Sequence, residues 1–160
     1  MDRTGTNTRM NKDFAAMPIE SLVPHKGAMC LWERVVAFDA DFVELETQSH
    51  RSPDNPLRSE GCLRAIHLCE YGAQAMAVHG GLLAQQGGEA RKGYLVALRG
   101  VDIRVSRIDD LTSALRCEAR LLMNSDASQQ YEFRLMHAGE CIAEGRAAVM
   151  LAPKGDGRDE

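Results

Sequence analysis

The sequence lacks an apolar run of about 18 residues, the length that would mark a membrane-spanning helix, so none is expected. Its first residues, MDRTGTNTRMNKDF, carry no apolar stretch of the kind found in a secretory signal. A cytoplasmic location is therefore expected. There is no C-x-x-C pair. The five cysteines (Cys30, Cys62, Cys69, Cys117 and Cys141) are odd in number and lie mostly in apolar segments. They read as free buried thiols in a reducing compartment, and their spacing excludes a zinc site. The arginines are dispersed and the net charge is −4, so no basic patch points to nucleic acid. No internal repeat is present. What remains is a chain of 160 residues with 44% apolar content, enough for one domain with a full core.

The most informative stretch is 63–86, LRAIHLCEYGAQAMAVHGGLLAQQ, which holds no proline and is the one segment that reads as a long helix. Ala, Leu, Met and Gln favour helix. Ala65, Ile66, Cys69, Gly72, Ala73, Met76, Ala77, Gly80 and Leu83 follow the spacing of one buried helical face. Leu68, Ala75, Val78 and Leu82 extend the apolar surface to other sides, which predicts a buried helix. Glu70 sits inside it. A carboxylate there must be paired, placed at a cleft, or kept partly neutral.

Around this helix the pattern is that of strands. Residues 18–23 suggest one helical turn, ended by the bend at Pro24, His25, Lys26 and Gly27. Residues 29–38 read as a strand. In 42–48, Val43, Leu45 and Thr47 alternate with Glu44, Glu46 and Gln48, a strand with one wet face. The loop at 49–61 is long and polar, which suggests function beyond connection. After Gly87 and Gly88, residues 93–108 predict one long strand or a bent pair. Alternating segments at 115–122, 131–136 and 141–151 follow, joined by turns at 124–126 and 137–140. Two strands, a long helix and about four further strands imply an α+β fold with an antiparallel sheet. The domain is expected at 14–151, with a polar tail at 1–13 and a charged one at 152–160. A sheet wrapped around one helix keeps open edges, so a homodimer is expected.

Two motifs carry a family resemblance. Leu22-Val23-Pro24-His25-Lys26-Gly27-Ala28-Met29-Cys30-Leu31-Trp32-Glu33-Arg34-Val35 resembles the L-P-H-R-x-P-M-L-L-x-D-R-V opening of the hot-dog β-hydroxyacyl-(acyl carrier protein) dehydratases. Glu70-Tyr71-Gly72-Ala73-Gln74 resembles their E-x-M-A-Q segment. Within the family the chain is similar to the branch found in aryl polyene and related pigment clusters. The resemblance implies a hot-dog fold in which a curved sheet of about five to six strands wraps the helix. It also implies dehydration of a 3-hydroxyacyl thioester on acyl carrier protein to the trans-2-enoyl product. His25 would be the base and Glu70 the acid, supplied from different subunits. N–H groups around Leu63, Arg64 and Ala65 would hold the thioester oxygen, and Gln74 and His50 would be substrate-side. Arg51, Arg58 and Arg64 would form a basic rim for the acidic carrier protein.

The chain departs from the family in the loop before the helix, which here runs His50-Arg51-Ser52-Pro53-Asp54-Asn55-Pro56-Leu57. It departs again at Ala65, where the family has Gly. The chemistry fits the residue types. His titrates near neutrality, a carboxyl in an apolar setting keeps its proton, and a helix N-terminus offers donors to a developing enolate. No cofactor and no metal is expected. His67 and Glu70, three apart on the helix, are one pair without further ligands. His79 reads as an ordinary helix residue, and Met29, Met76 and Met123 as core. Two alternatives stay open: a hot-dog acyl thioesterase using the helix carboxylate, and a non-catalytic partner in a dehydratase heterodimer.

Overall fold

The computed structural model describes residues 18–23, 27–87 and 91–153. Six strands form one antiparallel sheet: β1 (Arg34–Asp39), β2 (Phe42–Thr47), β3 (Gly93–Ile103), β4 (Leu115–Asn124), β5 (Ser128–His137) and β6 (Glu140–Leu151), in the order β1-β2-β4-β5-β6-β3. One helix, α1 (Leu68–Gln85), entered through a short 3₁₀ turn at Ala65–His67, packs against one face of the sheet, over β2, β4 and β5. This is the hot-dog arrangement, with the element order the alternation predicts.

The sheet's two faces differ as period-two patterning requires. Val43 and Leu45 of β2, Cys117 and Ala119 of β4, and Phe133 and Leu135 of β5 turn inward and are fully or almost fully buried. The alternate residues carry an outer ladder of ion pairs, among them Arg116 with Glu44 and Glu46, and Arg104 with Glu144. Against the inner face α1 places Leu68, Tyr71, Ala75, Val78 and Leu82, all at 0% exposure. Close approach requires Gly72, because a Cβ there would lie 2.8 Å from the Phe133 ring.

This buried face corrects the sequence reading. Only part of the small-residue stripe forms the core contact: Ala65, Gly72 and Met76 are buried, but Ile66 is 60% exposed, Gly80 is exposed, and Cys69, Ala73, Ala77 and Leu83 are half-buried. Burial scales with apolar area, so the face carrying Leu, Tyr and Val docks on the sheet. Met76 is core as expected, but Met29 (37% exposed) and Met123 (61%) are not. Of the five free cysteines, Cys117 is buried and the others are half-buried.

Boundaries moved for identifiable reasons. The first strand starts at Arg34, not 29, because Gly27–Met29 is a 3₁₀ turn and the following residues are tied to α1. Residues 63 and 64 are extended, not helical, because Arg64 pairs with Arg107: Ile108 N–H donates to the Leu63 carbonyl at 2.9 Å. The 93–108 segment is one strand to Ile103, bent by register shifts between Leu95 and Ala97 and between Arg99 and Asp102. The expected tail at 1–13 and the 154–160 part of the other lie outside the described residues. Ala152 still belongs to the fold, its N–H donating to the Lys92 carbonyl at 2.8 Å.

The two sheet edges are unlike. β1 is six residues long, shifted in register between Val35 and Ala37, and begins and ends on charged residues. β3 is eleven residues long and exposes Tyr94, Leu95, Val96, Leu98 and Val101. A long apolar edge is the kind of surface proteins cover with another chain.

Candidate active site

A cleft of about 580 Å³ opens beside α1. Its floor is the helix side opposite the core: Glu70, Ala73, Ala77, Gly81 and Ala84. Its walls include Leu95 of β3, Tyr131 of β5, Val149 and Leu151 of β6, and Leu22. The lining is mostly apolar, so a hydrocarbon chain gains by leaving water for it.

Glu70 stands at the N-terminal end of this floor, in the first helical turn, where the helix dipole favours an anion. It is exposed in the single chain and has no ion-pair partner among the described residues. Of the possibilities open for a carboxylate in this helix, placement at a cleft is the one found.

Gln74, one turn on, lines the same cleft, but its amide is engaged. Oε1 accepts the Leu31 N–H at 2.9 Å, and Nε2 donates to the Met29 carbonyl at 2.6 Å. Trp32 Nε1–H donates to the Tyr71 carbonyl at 2.8 Å and its ring meets the Tyr71 ring edge-on at 5.4 Å. Gln74 thus fixes residues 29–31 to the helix while lining the cleft. His25 lies outside the described residues. Leu22 is pressed against α1 so closely that a Cβ on Gly81 would sit 2.2 Å from its carbonyl oxygen.

The helix approach is also engaged. Leu63 N–H donates to Asp109 Oδ1 at 2.9 Å and Ala65 N–H to the Ser106 carbonyl at 3.1 Å. Asp109 in turn is held by Arg107, which keeps its carboxyl well below the usual range. Leu63 and Ala65 therefore have no free N–H for a ligand. Among the described residues, the N–H groups of Arg64 and Ile66 are the ones left without a partner there. Of the expected basic rim, Arg51 and Arg64 are exposed, whereas Arg58 donates to the carbonyls of Ser52 and His50.

His50, expected on the substrate side, is fully buried and does not line the cleft. Its Nε2 donates to the Leu111 carbonyl at 2.9 Å, which leaves Nδ1 an unpartnered acceptor. Burial, the largest influence, lowers its pKa. His79 is likewise more than an ordinary helix residue. Nε2 donates to the Asp39 carbonyl at 2.9 Å, so Nδ1 accepts from the Tyr131 hydroxyl at 2.7 Å. Its pKa too is lowered, chiefly by burial.

Two features escaped the sequence reading. The long loop is tied to the helix through Tyr71, whose hydroxyl meets Ser49 Oγ at 2.9 Å and Asn55 Nδ2 at 3.1 Å. Arg91 and Lys92 line the far end of the cleft. No periodic pattern marks either, because both depend on contacts between segments distant in sequence.

The family model of the ApeP-like proteins, described as ApeP dehydratase, matches residues 17–157. A comparison with curated proteins finds no match in sequence. Among solved structures, the chain is similar to the dehydratase heterocomplex ApeI:P from Xenorhabdus doucetiae, with 23% identity, TM-score 0.76, and 86% of this chain and 93% of that one covered. It is also similar to a thioesterase from Haemophilus influenzae, with 10% identity, TM-score 0.57, and 98% and 97% covered. AziG of S. sahachiroi matches with 13% identity, TM-score 0.56, and 75% and 90% covered. At these identities the structural matches speak for the fold.

Proposed function

The chain belongs to the ApeP-like dehydratase family, and from that premise we propose that it takes part in the loss of water from a 3-hydroxyacyl thioester delivered by acyl carrier protein. The observation that carries this reading is Glu70 standing free at one end of an apolar cleft. In the proposed reaction the acyl chain lies along the small residues of α1. His25 takes the proton from C2. The Glu70 carboxyl protonates the departing C3 hydroxyl, giving water and the trans-2-enoyl thioester. A carboxyl suits this role when apolar surroundings raise its pKa. In the single chain Glu70 is wet, so that requirement calls for a second chain to cover it. The apolar β3 edge supports such a seam. The thioester oxygen falls to Arg64 N–H or Ile66 N–H at the helix start, since their neighbours are engaged. Exposed Arg51 and Arg64 suit an acidic carrier protein, and the reaction proposed takes place in the cytoplasm.

A second reading is favoured by one observation: the similar ApeI:P structure is described as a heterocomplex. In it, the present chain completes the site of a related dehydratase chain. Both readings use the same cleft and edge.

The test incubates the purified chain, alone and co-purified with a related dehydratase chain, with 3-hydroxyacyl carrier protein, and follows intact mass. Loss of one water by the chain alone supports the first reading. Loss only in the pair supports the second. Hydrolysis to the free acid, or an unchanged substrate in both arms at saturation, overturns the dehydratase proposal.

A further inference from the structure

The cleft is apolar along its length but has polar ends. At about 1.5 Å per residue, Glu70 and Ala84 lie roughly 21 Å apart along the helix axis. The acid marks one end. The other end, where the chain turns from α1 back to β3, is lined by Arg91, Lys92 and Gln129 beside Gly93 and Leu151. Between them the floor carries nothing larger than Ala and Met, and Tyr131 gives its hydroxyl to His79.

Both cations belong to the lining at this end. Arg91 Nε and Nη2 both donate to the Ala152 carbonyl, at 3.1 and 2.7 Å, which fixes the guanidinium and leaves Nη1 without a partner among the described residues. Lys92 Nζ lies 5.5 Å from the centre of the Tyr94 ring. Neither has a carboxylate partner among the described residues, although Arg34, Arg104, Arg107, Arg116 and Arg134 all do. Two cations without a carboxylate partner among the described residues, set beside apolar surface, attract an anion more strongly than the same charges in open water.

We propose that this end of the cleft is a second recognition point, which takes an anionic oxygen group carried by the substrate about 20 Å from the reacting carbon. The inference rests on the reading of Glu70 as the reacting end. The anion has two possible sources with one chemistry: a carboxylate at the far end of the acyl chain, or, where the carrier's arm lies in the cleft in place of the acyl chain, the phosphate of that pantetheine arm. A chain ending in a methyl group on a phosphate-free arm leaves both cations unpaired and binds less tightly.

The experiment uses unreactive thioethers, so that binding is read apart from turnover. Three probes are titrated by calorimetry into the full chain, alone and with its related chain: S-dodecyl pantetheine, its phosphopantetheine counterpart, and a pantetheine thioether whose alkyl chain ends in carboxylate. One anionic probe is expected to bind about tenfold more tightly than the neutral one, and which one identifies the source. The preference should shrink as salt rises. It should vanish in Arg91→Gln/Lys92→Gln and persist in Arg91→Lys/Lys92→Arg, with both variants melting near wild type. Equal binding of the three probes, binding of none, or a preference that survives in the Gln variant overturns the recognition point. If the preference holds while no 3-hydroxyacyl thioester loses water, the recognition point stands and the dehydratase reading falls.

Discussion

The two sides of α1 are both built largely of residues without charge, and they have opposite uses. One side presents Leu68, Tyr71, Ala75, Val78 and Leu82 to the sheet, all without exposed surface. The other presents Ala73, Ala77, Gly80, Gly81 and Ala84 to the cleft, with Glu70 at its head. Size separates them, not polarity. Large side chains fill the space between helix and sheet at interior density, and small ones leave a trough. The same helix therefore holds the fold together on one side and leaves room for a guest on the other.

The contrast is sharpest in a pair of single substitutions. On the cleft side, Glu70→Gln should lower the rate of water loss by about 10²–10⁴-fold, the worth of one general acid, with the melting temperature nearly unchanged because Glu70 is exposed. On the core side, Leu82→Ala should cost about 2–5 kcal/mol of stability, read from the urea midpoint, with the rate per folded molecule nearly unchanged. If the two variants shared both phenotypes, the division between the sides would fail.

Two adjacent glycines sharpen it further. A Cβ on Gly80 meets nothing within 4 Å, so Gly80→Ala should stabilise the helix by about 0.5–1 kcal/mol. A Cβ on Gly81 meets the Leu22 carbonyl oxygen, so Gly81→Ala should cost about 1–3 kcal/mol as the backbone at Leu22 is pushed off. Chemical denaturation of the two variants side by side decides it, and equal effects would show that Leu22 is free to move.

The smallest expected effect is that of pH on the core. His50 and His79 are buried as neutral rings, with pKa values below the ordinary one. The unfolded chain therefore takes up protons first as pH falls through about 6.5. Stability is full above that value and declines below it, until the folded rings protonate in turn. Melting curves should drop by a few degrees between pH 7.5 and 5.5, about 2–4 °C per kcal/mol for a domain of this size. His79→Gln should flatten that slope. A steeper slope in the variant would contradict the assignment.

Much of this was readable in advance. Alternation in β2, β4, β5 and β6, and the apolar helix, give the topology because each element's period matches its burial. Glu70 was legible because a carboxylate in an apolar helix needs a reason. The docking face of α1 was not, since Ala65, Ile66, Ala73 and Ala77 satisfy the helical period as well as Leu68, Tyr71 and Leu82 do. Periodicity counts apolar positions without weighing their area. Nor could sequence reveal that the Gln74 amide, the Leu63 and Ala65 N–H groups and the His50 ring were already committed to Met29, Leu31, Asp109, Ser106 and Leu111. Those commitments join segments tens of residues apart, and only the folded chain brings them within reach.

The bends in β3 have a consequence for any chain that joins that edge. Shifts in the register of β3 against β6, at Val96 and again before Asp102, leave Ala97–Arg99 as the regular stretch between them. An incoming strand finds regular register only within Gly93–Leu95 or within Ala97–Arg99. A slip of one position would turn its inward side chains to water. The kinks thus act as a keyway: they decide not only that a neighbour can attach, but at which step along the strand it must stop.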